Sequence, residues 1–367
     1  MNLNFRFAVI SDLHIALPHT IWHHPSRLHL VEVSIPALEC ILERLSHLDL
    51  DFLLLPGDLT QHGEPENHAW LADRLAKLPY PAYVIPGNHD VPHLEAMSTA
   101  IGLADFPHYY QKFGYADPMR LYYTCPLLPG VRLIALNSNQ FDAQGKQIGR
   151  MDPAQLGWLE QVLTEFRDEL LLVMIHHNVL EHLPGQASSP MGRRYMLDNA
   201  PELLQLLRQA GVQLIFTGHL HVQDIAYQQG IYDITTGSLV TYPHPYRILQ
   251  FRTDDRGQHW LQIESDRVER LPEWDTLQQT SRDLIGDRSL PFMLQLLTQP
   301  PLCFPKPEAE VWAPHLRYFW ADIADGDAIF DFAHFPPPAR RYFESFGAID
   351  ADGHLSFIDN YVSLLLT

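Results

Sequence analysis

The chain has 367 residues, 46% hydrophobic and 19% charged, which excludes wholesale disorder and leaves room for a large domain with an accessory piece. Acidic residues outnumber basic ones 44 to 25, and the net charge of −19 argues against a long nucleic acid or an anionic membrane as partner. Histidine is unusually abundant at 21 copies, a composition that points toward metal.

In chain order, short apolar runs recur and each ends in polar residues. Phe7 to Ile10 runs into Ser11-Asp12, Phe52 to Leu55 into Pro56-Gly57-Asp58, and Tyr83 to Ile85 into Pro86-Gly87-Asn88-His89-Asp90. Leu133 to Leu136 runs into Asn137-Ser138, Leu171 to Ile175 into His176-His177-Asn178, and Leu214 to Phe216 into Thr217-Gly218-His219-Leu220-His221. Continuous apolar runs of this length read as strands buried on both faces. Helical patterns lie between them: Val33 to Leu48, Trp70 to Leu78, Pro153 to Phe166 behind an Asp152 N-cap, and Pro201 to Gln209 between Asn199 or Asp198 and Gly211. Alternating strand and helix predicts a layered α/β fold whose ligand site lies at the carboxyl ends of the strands. Two further strands, Tyr246 to Arg252 and His259 to Glu264, close this part.

Near residue 267 the pattern becomes helical and proline-punctuated, with helices expected over Asp283 to Leu297, Ala313 to Ile323 and Pro338 to Phe346. The reading is an α/β domain over 1–266 and a mainly helical accessory segment over 267–367. That segment is expected to pack on the domain, with a lid or a homo-oligomer interface as alternatives. Its acidic residues Asp322, Asp325, Asp327 and Asp331 lack the order of a calcium loop and read as helix ends and turns. The three cysteines, Cys40, Cys125 and Cys303, form no CxxC pair, which fits a reducing compartment. No apolar run reaches bilayer-spanning length and no leader pattern opens the chain, so a cytoplasmic protein is expected.

The strand ends collect Asp12, His14, Asp58, Asn88, His89, His176, His219 and His221. Carboxylate, imidazole and amide donors without thiolate suit first-row divalent metals. They are too many for one ion, and two ions roughly 3.5–4 Å apart sharing one carboxylate would use them. In Asp12-x-His14 and His219-x-His221, positions i and i+2 share one side of an extended segment. Gly57, Gly87 and Gly218 each precede a candidate ligand and free the backbone to turn.

The ordered blocks Ser11-Asp12-Leu13-His14, Gly57-Asp58, Gly87-Asn88-His89-Asp90, His176-His177 and Gly218-His219-Leu220-His221 resemble the calcineurin-like metallophosphoesterase superfamily. Ser11 to Ile15, Gly57 to Thr60, and Gly149-Arg150-Met151 followed by Trp158-Leu159 look most like its small bacterial phosphodiesterases of the cyclic-nucleotide and glycerophosphodiester type. The resemblance implies an αββα sandwich of two mostly parallel or mixed sheets flanked by helices. It implies two divalent ions (Mn, Fe, Zn or Co), one held by Asp12, His14 and His221, the other by Asn88, His176 and His219, with Asp58 bridging. Adjacent residues point opposite ways, so only one of His176 and His177 should be a ligand, and the resemblance implies the first, His176. The implied reaction is in-line attack on phosphorus by a metal-bridging hydroxide, with His89 protonating the leaving alkoxide and Asp90 orienting His89.

The expected substrate is a small phosphodiester: a cyclic nucleotide, a glycerophosphodiester or a relative. A phosphomonoesterase or nucleotidase, a nuclease and a non-catalytic scaffold are the rival readings. His23, in the loop after the first motif with His24, and Arg193 and Arg194 are candidate substrate contacts. No G-x-x-x-x-G-K-[ST] loop and no G-x-S-x-G elbow occurs.

Overall fold

The computed structural model describes residues 2–24, 27–350 and 352–366. Its strands are β1 (Asn4–Val9), β2 (Phe52–Leu55), β3 (Ala82–Val84), β4 (Tyr123–Leu128), β5 (Val131–Ala135), β6 (Asn139–Phe141), β7 (Gln147–Gly149), β8 (Leu170–Met174), β9 (Leu214–Thr217), β10 (Asp224–Gln228), β11 (Ile231–Thr235), β12 (Pro245–Thr253), β13 (His259–Arg267) and β14 (Tyr361–Leu366). Its α-helices are α1 (Ser34–Ser46), α2 (Pro65–Leu75), α3 (Phe106–Tyr109), α4 (Pro153–Glu165), α5 (Pro190–Arg193), α6 (Ala200–Gln209), α7 (Leu277–Thr298), α8 (Lys306–Trp312), α9 (Phe319–Asp325) and α10 (Pro337–Glu344).

Two six-stranded mixed sheets form the centre, in the orders β14-β13-β12-β1-β2-β3 and β10-β11-β9-β8-β5-β4. Strands β1, β2 and β3 run parallel in the first, and β5, β8, β9 and β11 run parallel in the second. The apolar runs explain this placement. In β8, Leu172 and Met174 enter the core between the sheets, while Leu171 and Val173 enter a second core beneath α4 and α6. Both faces of the strand are therefore covered, as its unbroken hydrophobicity requires. Across the sheet interface, Phe7 meets Phe216 edge-on at 5.5 Å, and within the first sheet Phe5 stacks on its cross-strand partner Phe251 at 5.0 Å. The sandwich expected from the sequence is present.

Local differences have local causes. Helix α2 begins at Pro65, earlier than Trp70, because proline is tolerated at the first turn. Asp152 caps α4 by accepting from Gln155 N at 2.7 Å, as expected. Asn199 precedes α6, but its side chain turns away to Met151, accepting from its N at 3.1 Å.

The C-terminal segment is mainly helical, and its last strand was not anticipated. β14 pairs antiparallel with β13 and completes the first sheet. The helices make a third core of their own, in which Met293, Leu297, Phe319 and Phe343 enclose Leu220 and Val222. Asp322 and Asp325 pair with Arg282 and Arg267 at 2.6 and 2.8 Å, so these carboxylates serve packing. Among the described residues no helix is long and apolar enough to cross a membrane.

Candidate metal centre

The polar strand ends converge on one cavity of about 680 Å³. The loop after β1 zips onto the loop after β2: Asp12 N donates to the Gly57 carbonyl at 3.2 Å, and His14 N to the Asp58 carbonyl at 2.9 Å. The loop after β9 joins the loop after β8, with Gly218 N donating to the His176 carbonyl at 3.1 Å. His219 N donates to the Asp12 carboxylate at 3.1 Å, linking the two pairs of loops.

Glycine makes this convergence fit. A Cβ on Gly87 would lie 2.2 Å from Asp58 N and Oδ1, and one on Gly218 would lie 2.5 Å from Asp12 Oδ2. The need at these two positions is close approach. Left-handed geometry falls instead on the candidate ligands themselves: Asp12 (φ 51), His14 (φ 43), Asp58 (φ 50), His219 (φ 67) and His221 (φ 60). The expectation of an extended D-x-H and H-x-H backbone is thereby corrected. A non-glycine left-handed residue costs energy, and such strain concentrates at functional sites.

Two groups of donor atoms result, each with all members within 4.8 Å of one another: Asp12, His14, Asp58 and His221; and Asp58, His176 and His219. Asp58 belongs to both. Its Oδ2 lies 3.8 Å from His14 Nε2 and 3.4 Å from His176 Nε2. Asp12 Oδ1 lies 3.1 Å from His221 Nε2, and Asn88 Oδ1 lies 3.2 Å from His176 Nε2. His177, by contrast, turns its Nδ1 to the Ser138 hydroxyl at 2.7 Å, so only the first of the adjacent pair joins the cluster. His176 is steadied by the Pro56 carbonyl, 2.8 Å from its Nδ1, an arrangement that fixes the tautomer of a metal-binding imidazole.

The electrostatics suit cations. Burial, then the neighbouring His29 and His89, hold His14 well below the usual histidine range, and burial with His177 and His176 does the same to His219. These imidazoles are neutral, the form that ligates metal. Burial opposes charge on His176 and Asp58 alike, but their mutual attraction overrides it, raising His176 to about 9 and holding Asp58 below the usual carboxylate range. Asp12 and Asp58 are buried, and among the described residues neither pairs with a lysine or arginine. Buried carboxylates need a cation, and this donor set fits divalent metal. The cysteines are free and stand apart from it.

Other expected residues fare differently. His89 lines the cavity, and its backbone N donates to Asp58 Oδ1 at 2.8 Å. Its ring is held by the Gln61 carbonyl, 2.7 Å from Nδ1, and not by Asp90. Asp90 is folded back by a turn and accepts from Gly87 N, Leu59 N and Thr60 N at 2.8, 3.0 and 2.8 Å. Burial and the Asp58 carboxylate push Asp90 up to about 7, against those three donors. It locks two ligand loops together, which corrects the orienting role. Arg193 and Arg194 line the cavity; His23 is exposed and does not. From the His23 loop, Trp22 and His29 line it instead. His29, missed in the sequence, stacks against His14 at 4.4 Å and His221 at 4.8 Å and forms a third donor group with them. The histidine density of that loop was the available signal; which histidine turned inward was not legible. His62, across the cavity mouth, stacks on His89 at 5.2 Å.

Comparison with known proteins agrees with this geometry. Residues 5–223 match the family model described as calcineurin-like phosphoesterase. A probable cyclic nucleotide phosphodiesterase of Synechococcus is 30% identical over 264 residues, covering 71% of this chain and 88% of its own. A probable glycerophosphodiester phosphodiesterase of Arcobacter nitrofigilis is 29% identical over 175 residues, covering 47% of this chain and 56% of its own. The crystal structure of a dimetal phosphatase from Danio rerio aligns over 72% of this chain and 96% of that one, with a TM-score of 0.52 at 16% identity, a likeness of fold. With its ordered ligand loops, its two-sheet architecture and a family match over residues 5–223, the chain belongs to the calcineurin-like phosphoesterases and is a metal-dependent phosphoric ester hydrolase.

Proposed function

We propose that the protein hydrolyses small phosphodiesters at a centre for two divalent cations. The observation that carries this reading is the membership of Asp58 in both donor groups. Asp12, His14 and His221 would hold one cation, Asn88, His176 and His219 the other, and Asp58 would serve both. Bound there, the cations would acidify water and neutralise the phosphoryl oxygens.

The chain's own groups supply the remainder. His89 presents its ring to the cavity with Nδ1–H directed at the Gln61 carbonyl, which leaves Nε2 to face the substrate. In the imidazolium form, that Nε2–H is placed to protonate a departing alkoxide. Arg193 and Arg194 add positive charge to the rim. The relatives named as diesterases support a diester over a monoester substrate.

The test compares wild type, Asp58→Ala and His89→Ala by elemental analysis and by turnover of bis(p-nitrophenyl) phosphate and p-nitrophenyl phosphate. Asp58→Ala is expected to lose metal and activity together. His89→Ala is expected to keep its metal and to lose about 10²–10⁴-fold in kcat on the diester. A strong preference of wild type for the monoester would replace the reading with a phosphomonoesterase.

A further inference from the structure

A second cavity, of about 720 Å³, adjoins the metal cavity. Leu28, Arg194, Tyr195, Ile285 and Trp320 line both. Tyr195 forms the sill, its ring 5.1 Å from that of His219 on one side and its other side in the second cavity. Beyond it the walls are apolar: Leu183 and Met191 on the loop leading to and including α5, Phe292 and Leu296 on α7, Phe319 on α9 and Phe346 after α10.

Most polar side chains there are already engaged. The Gln186 carbonyl oxygen accepts from His182 N at 2.7 Å, and its amide donates to Asn178 Oδ1 at 3.2 Å. Ser289 donates to the Gly286 carbonyl at 3.1 Å, and Asp287 is taken by Arg317 at 2.7 Å. Arg194 and Arg288 are the cations of the lining, and Arg288 Nη1, buried without a hydrogen-bond partner among the described residues, is a single donor rather than the paired donors and acceptors of a base-reading edge. A nucleobase would need free donors and acceptors along its edge; a hydrocarbon chain needs only apolar surface of this extent. Four of the six wall residues above come from the C-terminal segment, beyond the family match that ends at residue 223.

We infer that the substrate is a phosphodiester carrying a long alkyl or acyl chain, with its phosphorus at the metal cavity and its chain passing over Tyr195 into the apolar cavity. This rests on the phosphodiesterase reading and narrows it to chain-bearing esters.

The experiment uses methyl, butyl and decyl p-nitrophenyl phosphate, below their micellar concentrations, with metal-loaded wild type and Met191→Trp, which fills the apolar cavity. In wild type kcat/KM is expected to rise by about threefold per methylene over the first several carbons. In Met191→Trp the ratio of decyl to methyl kcat/KM is expected to fall by about tenfold or more. A flat profile across the three esters, with the methyl ester turned over, overturns the inference and leaves the phosphodiesterase reading intact. If no ester is turned over, that reading fails, and calorimetry decides the cavity separately. Decyl phosphate should then bind the metal-free protein about tenfold or more tighter than methyl phosphate, with a negative heat-capacity change. Equal affinities overturn the inference.

Discussion

At the scale of single residues, the candidate ligands were legible because the chemistry demands particular donor types at particular strand ends. Asp12, His14, Asp58, His176, His219 and His221 all reach one cluster. Their backbone conformation was not legible, since left-handed φ at aspartate and histidine is imposed by loops from four different strands. Asp90 shows the same limit: its partners Leu59 and Thr60 lie 31 and 30 residues away in the chain, so the sequence pointed to adjacent His89 instead. The close approach at Gly87 yields a prediction. A methyl group there meets Asp58 N and Oδ1 at 2.2 Å, and backbone cannot yield cheaply. Gly87→Ala is expected to lose about 1–3 kcal/mol in urea denaturation. Because the displaced atom belongs to the shared carboxylate, elemental analysis should show metal loss in the folded variant. Full metal retention with wild-type stability would mean that the loop relaxes without moving Asp58.

At the scale of elements, the buried strands were readable and the C-terminal strand was not. Runs such as Leu171 to Met174 announce themselves because they are covered on both faces. β14 is half exposed, and its partner β13 ends about a hundred residues earlier, so nothing local marks it as part of the sheet. The C-terminal helices show how an accessory element reaches the site. Their core encloses Leu220, the residue between His219 and His221, at 1% exposure. Packing on Leu220 therefore bears directly on the loop that carries two candidate ligands. Leu220→Ala should cost about 2–5 kcal/mol through the cavity it leaves, and should weaken metal binding. Leu316→Ala removes an equally buried side chain from the same core, but one that lies outside that loop in the chain. It should be destabilised to a similar degree with metal affinity unchanged. Equal metal affinity in both variants would show that the bundle supports the fold without steadying the ligands.

At the scale of the whole molecule, the −19 charge makes buried positive groups important to how the layers hold together. His182 follows β8 and sits between Asp224 on β10, at 2.6 Å, and Asp233 on β11, at 3.3 Å. Burial opposes its charge, but the two carboxylates override burial and raise it from 6.5 to about 10. Asp233 also accepts from Val179 N and Leu180 N, so the cluster ties the loop after β8 to the edge of the second sheet. Arg247 and Asp359 adjoin it, and burial with the Asp224 carboxylate pushes Asp359 up to about 8. A raised histidine contributes stability that is complete below its unfolded value and lost as pH climbs through the folded one. The His182 contribution is thus full below pH 6.5 and fades toward pH 10. Asp359, a raised carboxyl, also removes stability as pH rises, but its part is nearly complete about one unit above its folded value of about 8. His176, raised to about 9, titrates in the same interval when no metal holds it, so the His182 part is the difference between wild type and His182→Gln from pH 8 to 10, about 2 kcal/mol. Urea denaturation across that interval should show the loss in wild type. His182→Gln should be less stable at pH 7, because two carboxylates lose their cation, and should decline less steeply than wild type from pH 8 to 10. A wild-type profile parallel to the variant's would mean that His182 is neutral between the two carboxylates and that hydrogen bonding alone joins the loop to the sheet.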